Sequence, residues 1–200
     1  MTTKVICIAG QKGGVEKTTT AVPLAHGRSQ KGRHTLLVDL DPLGQCASAL
    51  DLSPESGAFH LLTMGTTPQK NTFVESRMCF SGRQGLYLLP GDQQTMAAQT
   101  VLNAQDKPIS WIRESIQRFF KDGLHLRILL TFRDEQLPEN NATLEHLGER
   151  LGDSLLPPIH RSPLLRACIA EGRSIFELGP LCRAAREYQA LTGRVMNFQG

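Results

Sequence analysis

The apolar run Val5-Ile6-Cys7-Ile8 leads straight into Ala9-Gly10-Gln11-Lys12-Gly13-Gly14-Val15-Glu16-Lys17-Thr18-Thr19-Thr20, and this junction constrains the chain more than any other stretch. A short apolar run bounded by glycine suits a central strand covered on both faces, so Val5 to Ala9 is expected to be one. The glycine-rich turn then precedes a helix-like segment. A strand, a glycine loop and a helix start in succession turn backbone N–H groups and the positive helix end toward one point, which is how backbone binds phosphate. In that reading Lys17 reaches the outer phosphates and the Thr18 hydroxyl holds Mg²⁺. The strict loop pattern asks for glycine at both ends, and this chain has Gln11 and Glu16 there.

Two acids follow at a useful distance. His34 to Asp39 reads as the second strand, and Asp39 and Asp41 lie on alternating positions at its end, so both can look toward the loop's metal. The plainer reading is that such aspartates cap turns, as Asp41-Pro42 could.

Lys-Gly-Gly-Val-x-Lys-Thr-Thr, with its additional lysine at Lys12, resembles the deviant Walker A loop of the ParA/MinD ATPases. The resemblance continues in Leu36-Leu37-Val38-Asp39-Leu40-Asp41-Pro42-Leu43-Gly44-Gln45, in Leu88-Leu89-Pro90-Gly91, and near the C-terminus in Phe176-Glu177-Leu178, Ala184-Ala185 and Tyr188. The ParA branch, which partitions DNA, is the nearest in pattern. The resemblance implies an α/β, three-layer P-loop NTPase fold with a mainly parallel sheet, spanning residues 1–200 as one domain. It also implies ATP and Mg²⁺ as cofactors. By the same resemblance Gly13, Gly14, Val15, Glu16, Lys17, Thr18 and Thr19 form the nucleotide cradle. Lys12 reaches a dimer partner's nucleotide, Asp41 orients the attacking water and contacts the metal with Thr18, and Asp39 sits behind it. The implied partners are non-specifically bound DNA, a partition adaptor protein and a second copy of the chain in a nucleotide-dependent homodimer, in plasmid or chromosome segregation.

Four departures from the family pattern point to a weak or inactive enzyme. A Glu16 carboxylate about 5 Å from one phosphate charge costs roughly 3 kcal/mol at an effective dielectric near 20, more than a hundredfold in affinity. Pro23 falls inside the expected first helix, where it deletes the bond to the Thr19 carbonyl and costs about 3 kcal/mol or more, so that helix is expected to be kinked or shortened. Leu43 stands where the family usually has glutamine. Finally, Leu124 to Leu130 resembles the start of the Walker B strand yet runs directly into Thr131-Phe132-Arg133-Asp134-Glu135-Gln136, which is similar to a segment after a much later strand. Several dozen residues of the pattern, with the Walker B acid and the second switch, are missing at a seam near 126–131. Asp134 as a replacement acid is the weaker alternative, because it matches the later segment residue by residue. The other functional reading is therefore a non-catalytic remnant acting as a DNA- or partner-binding module.

Between these motifs, residues 51–83 read as a loop-rich connection with one short helix around Ala58 to Leu62. Gly85 to Leu89 reads as a strand, Asp92 as the cap of a helix through Met96, Ala97 and Val101. Pro108 opens a helix with Ile109, Ile112, Ile116 and Phe119 on one face, beside Trp111. Leu144, Leu147 and Leu151 share a helical face, and Leu155 to Ile159 is a short strand. Ser162 and Pro163 cap and open a helix, and Ala184, Tyr188 and Leu191 mark the last one. Five cysteines without a CxxC pair and six histidines without metal-ligand spacing read as structural. No apolar run approaches membrane-spanning length, which leads to the expectation of a cytoplasmic protein without a membrane anchor. Residues 160–200 hold six arginines against three glutamates, which accounts for the formal net charge of +3. Within them Arg161, Arg166, Arg183 and Arg186 are the candidate DNA contacts, binding phosphates without reading sequence. The seam is expected to cost the sheet a neighbour on one side of Val5 to Ala9 or to leave apolar edges uncovered, giving a marginal, aggregation-prone protein.

Overall fold

The computed structural model describes residues 6–8, 17–53, 55–64, 68–107, 128–133, 149 and 155–197. The loop 9–16, the helix opened by Pro108, Asp134 and the face of Leu144, Leu147 and Leu151 lie outside the described residues. Helix α1 (Lys17–Gln30) runs fourteen residues straight through Pro23, so the expected shortening does not occur. The Thr19 carbonyl, deprived of its Pro23 partner, accepts the Tyr188 hydroxyl at 3.0 Å instead. The helix ends at a glycine. Gly32 adopts φ 74°, its N–H donates to Ser29 O and that of Arg33 to Arg28 O, the paired bonds of a Schellman cap that only a left-handed residue permits.

Strand β1 (Thr35–Val38) pairs in parallel with β3 (Leu86–Leu89), Thr35 opposite Leu86 and Val38 opposite Leu89. On the far edge of β3 lies a short antiparallel strand, β2 (Cys79–Phe80), giving the order β1-β3-β2. Alternation along these strands makes the layers. Leu37, Leu86 and Leu88 face Val22 and Ala25 of α1 together with Cys46 and Ala47 of α2 (Gln45–Ser48). Leu36, Val38 and Leu89 face Leu61 of α3 (Gly57–Thr63) and Val74 of α4 (Pro68–Glu75). Helices on both faces of the sheet give the expected three-layer α/β order.

Residues 51–83 are more structured than expected. The expected helix is there as α3, but α4 and β2 follow it. Pro68 costs α4 nothing at its first position, where the missing N–H would have no partner anyway. Asp92 caps α5 (Gln93–Ala104) as the sequence indicates, in a reciprocal capping box with Thr95. The first strand is a correction. Ile6 to Ile8 carry no strand ladder, and Ile6 and Cys7 are exposed rather than covered on both faces.

The described part of the seam, residues 128–131, lies in strand β4 (Ile128–Arg133), which pairs in parallel with β5 (Leu155–His160). The register shifts twice, between Leu129 and Thr131 and between Thr131 and Arg133. The partner strand explains this, because Pro157 and Pro158 supply no N–H to the ladder. Beyond β5 come α6 (Pro163–Ala170), α7 (Ile175–Leu178) and α8 (Arg183–Met196). Pro163 opens α6 as expected, but the Ser162 side chain makes no capping bond. Leu156, Ile159, Leu165, Ile175, Ala185, Tyr188 and Leu191 form one core with Leu24 of α1. Gly27 lets α1 and α8 approach, since a Cβ there would lie 2.5 Å from Thr192 Oγ1.

Candidate functional site

The site is built where α1 begins and β1 ends. Asp39 is 5 % exposed, and a buried carboxylate is tolerable only when its oxygens are satisfied. Its Oδ1 accepts the Asp41 N–H and its Oδ2 the Cys46 N–H, each at 3.0 Å. Those bonds fold 39–46 back on itself and fix the start of α2. Asp41 repeats the device one turn further on, accepting the Leu43 N–H at 3.1 Å. Both aspartates therefore cap turns, and the strand geometry expected to align them ends at Val38.

The two carboxylates consequently have different tasks. Asp39 is committed to backbone. Asp41 uses its other oxygen, Oδ2, for Lys17 Nζ at 3.1 Å. The Leu43 N–H and the Lys17 ammonium hold the Asp41 carboxyl below its usual range, against the opposing effect of partial burial. Beside them Thr18 is 8 % exposed and its hydroxyl meets the Cys46 thiol. Burial and the Asp39 charge keep that thiol protonated, so Cys46 is a packing residue rather than a nucleophile.

Two glycines seal this loop against the next. Gly44 sits at φ 59°, and a Cβ there would be 2.3 Å from Gly91 O. A Cβ on Gly91 would be 2.5 Å from Asp39 O. Leu43, in the place of the expected glutamine, is 75 % exposed.

What the arrangement can hold follows from its donors. The Thr18 hydroxyl and a free lone pair on the Asp41 carboxylate are hard oxygens of the kind Mg²⁺ takes. Lys17 is a cation whose present partner is an anion that a phosphate could replace. Mg²⁺ and a nucleotide phosphate therefore fit the residues on this side of the loop. Asp39, with both oxygens engaged, positions the loop and fits the place behind Asp41. Among the described residues no group of three or more His, Cys, Asp and Glu could hold a metal ion by itself. Lys12, Gly13, Gly14, Val15 and Glu16 lie outside the described residues.

Two supports were invisible as motifs. Arg83 donates to both oxygens of Glu177, the nearest contact at 2.8 Å, and also to the carbonyls of Leu50, Ser81 and Gly172. It ties the β2–β3 turn to the ends of α2 and α6. Burial alone would raise the Glu177 carboxyl, but Arg83 and the Ser174 N–H outweigh it and hold the group low. His26 Nδ1 lies 2.5 Å from Ser174 Oγ, and burial lowers its pKa. Arg83 is one arginine in a turn, and no local pattern marks it as a hub. Tyr188 was named in the family resemblance and as a marker of the last helix but given no role, although its hydroxyl reaches Thr19 O and lies 3.3 Å from Thr20 Oγ1.

The arginines proposed for DNA are far from this cluster in the chain and exposed. Arg161 follows β5, Arg166 lies on α6, and Arg183 and Arg186 lie on α8. Arg183 is paired with Glu187 at 2.8 Å, and Glu187 also takes His160 Nδ1 at 2.6 Å. Among the described residues no helix is long and apolar enough to cross a membrane.

Residues 3–122 match the family model described as an AAA domain. The chain is 53% identical over 57 residues to the chromosome-partitioning ATPase Soj of Thermus thermophilus, covering 28% of this chain and 23% of the relative. It is 27% identical over 129 residues to the chromosome partitioning protein ParA of Caulobacter vibrioides, covering 64% and 46%. The chain thus spans less than half the length of these curated relatives. The cell division ATPase MinD of Pyrococcus furiosus superposes with a TM-score of 0.64 at 18% identity, over 94% of this chain and 96% of that one.

Proposed function

Because this chain belongs to the ParA/MinD type of P-loop ATPases, we propose that it is a ParA-like nucleotide-binding protein of DNA partition with an impaired ATPase step. The observation that carries the reading is the Lys17–Asp41 contact beside the buried Thr18. An ammonium, a buried hydroxyl and a carboxylate near the start of one helix support it. Lys17 would exchange Asp41 for the outer phosphates of ATP, and Thr18 with Asp41 would hold Mg²⁺. Mg²⁺ supplies charge neutralisation at the phosphoryl group. Asp41, freed from the ammonium, can orient a water, and Lys12 would serve the second copy of a nucleotide-dependent dimer.

Impairment rests on the sequence. Glu16 sets a carboxylate against the phosphates, Leu43 offers the switch no polar group, and the seam lacks the second metal-side acid. The runner-up is a non-catalytic remnant that binds DNA or an adaptor, and the exposed Arg161, Arg166 and Arg186 favour it. Its contacts would be to phosphate, so affinity would fall steeply with salt.

A titration of the full chain with a fluorescent ATP analogue, with and without Mg²⁺, tests the first reading. Weak, saturable, Mg²⁺-dependent binding that disappears in Lys17→Ala is expected. A signal unchanged by that substitution would place the ligand elsewhere.

A further inference from the structure

Lys17 and Thr18 are held by the first turns of α1, and those turns contain a defect. Residue 23 of a helix donates its N–H to the carbonyl of residue 19, but Pro23 has none. The Thr19 carbonyl belongs to a residue only 4 % exposed, and an orphaned backbone carbonyl in such a place is strongly disfavoured. The group that meets it comes from the other end of the chain. Tyr188 of α8, fully buried, donates its hydroxyl to Thr19 O at 3.0 Å and lies 3.3 Å from Thr20 Oγ1.

We propose that Tyr188 is a positioning residue for the nucleotide loop, its hydroxyl standing in for the N–H that Pro23 lacks and so holding the turn that presents Lys17 and Thr18. This deepens the nucleotide-binding reading and rests on it. The geometry suits the task because α8 is itself anchored. Tyr188, Leu191 and Val195 share a core with Leu24 of α1, and Gly27 lets the two helices close on each other at that level. The hydroxyl therefore arrives from a helix packed on α1, and it ties α8 to the first turns of α1. It follows that the hydroxyl matters because of the proline. Restoring an ordinary N–H at position 23 makes it dispensable.

Four full-length proteins test this, the native chain, Tyr188→Phe, Pro23→Ala and the double variant, each read by thermal unfolding and by titration with the fluorescent ATP analogue and Mg²⁺. Contacts of the hydroxyl unrelated to Thr19 are lost in both backgrounds and cancel in the cycle. We expect Tyr188→Phe to lower the unfolding midpoint by several degrees and to weaken nucleotide binding about tenfold when residue 23 is proline. With alanine at 23 it should lower the midpoint by under a degree or two and affinity by less than twofold. Equal losses in the two backgrounds would overturn the proposal, because the hydroxyl would then be an ordinary core contact. Coupling in the midpoint with affinity unchanged would overturn the positioning role. Coupling in the midpoint when none of the four proteins binds nucleotide would support the substitution of hydroxyl for N–H and would sink the nucleotide-binding reading instead.

Discussion

Between β1 and β3 four consecutive residue pairs stay in register, whereas between β4 and β5 the register shifts twice within six residues. The first ladder ends in a loop whose backbone is fastened by Asp39, sealed by Gly44 and Gly91, and joined to α1 through Lys17 and Asp41. The second carries two prolines and crosses the seam. A segment that must place charges within a few tenths of an ångström tolerates no slippage, while a strand that only covers a core can absorb an irregular register. The described residues of 126–131 thus fall in the irregular ladder, while the loop that holds Asp39 and Asp41 keeps its frame. If so, substitutions should hurt the two regions unequally.

The largest effect is expected at Arg83. Arg83→Met leaves the Glu177 carboxylate without its partner and three carbonyls without a donor, which should cost about 3 kcal/mol or more in urea-induced unfolding. A loss below about 1 kcal/mol would mean that the Arg83 cluster does not fasten the region next to the site. Gly44→Ala comes next. Its Cβ would meet Gly91 O at 2.3 Å in a left-handed backbone, a strain of about 1–3 kcal/mol, read as a lower unfolding midpoint. If alanine were accepted there without loss, the switch loop would be looser than described.

The pH dependence comes third. Burial depresses the His26 pKa below its ordinary 6.5, so the folded protein binds that proton less readily than the unfolded chain. The associated stability is present above pH 6.5 and is lost as pH falls from there toward the folded value. Glu177, Glu187 and Asp41 are held low by their partners, so their contributions persist further and go as pH drops through the carboxylate range. Unfolding midpoints from pH 8 to 4 should therefore begin to fall before any carboxylate titrates. His26→Gln should shrink that first decline, His60, whose pKa burial also lowers, carrying the rest, and a decline unaltered by it would assign the effect to another group. The smallest effect belongs to the second ladder, where Pro157→Thr at an exposed position should change stability by no more than about 0.5 kcal/mol.

The fold class was legible through the family resemblance of the glycine-rich loop and of Leu36 to Gln45, while α5 and α8 were marked by the Asp92 cap and by the spacing of Ala184, Tyr188 and Leu191. The residue types of the candidate site were legible, and of them Lys17 and Asp41 meet at 3.1 Å. What stayed hidden depends on contacts far apart in sequence. The continuity of α1 through Pro23 needs a hydroxyl 169 residues away from Thr19, and propensity reasoning, which treats the helix alone, expects a break. The β2 edge strand has only two residues, too few for any periodicity. The division of labour between Asp39 and Asp41 is set by which backbone N–H groups curl toward each, which spacing does not encode.

Under the nucleotide-binding function proposed for this chain, the main handicap is the Glu16 side chain. The most direct test is the affinity of Glu16→Gly against the native chain for the fluorescent ATP analogue with Mg²⁺. Removing the carboxylate and its bulk should tighten binding at least tenfold, with hydrolysis remaining well below an ordinary rate of about 1 per second. Equal affinity for the two proteins would contradict the claim.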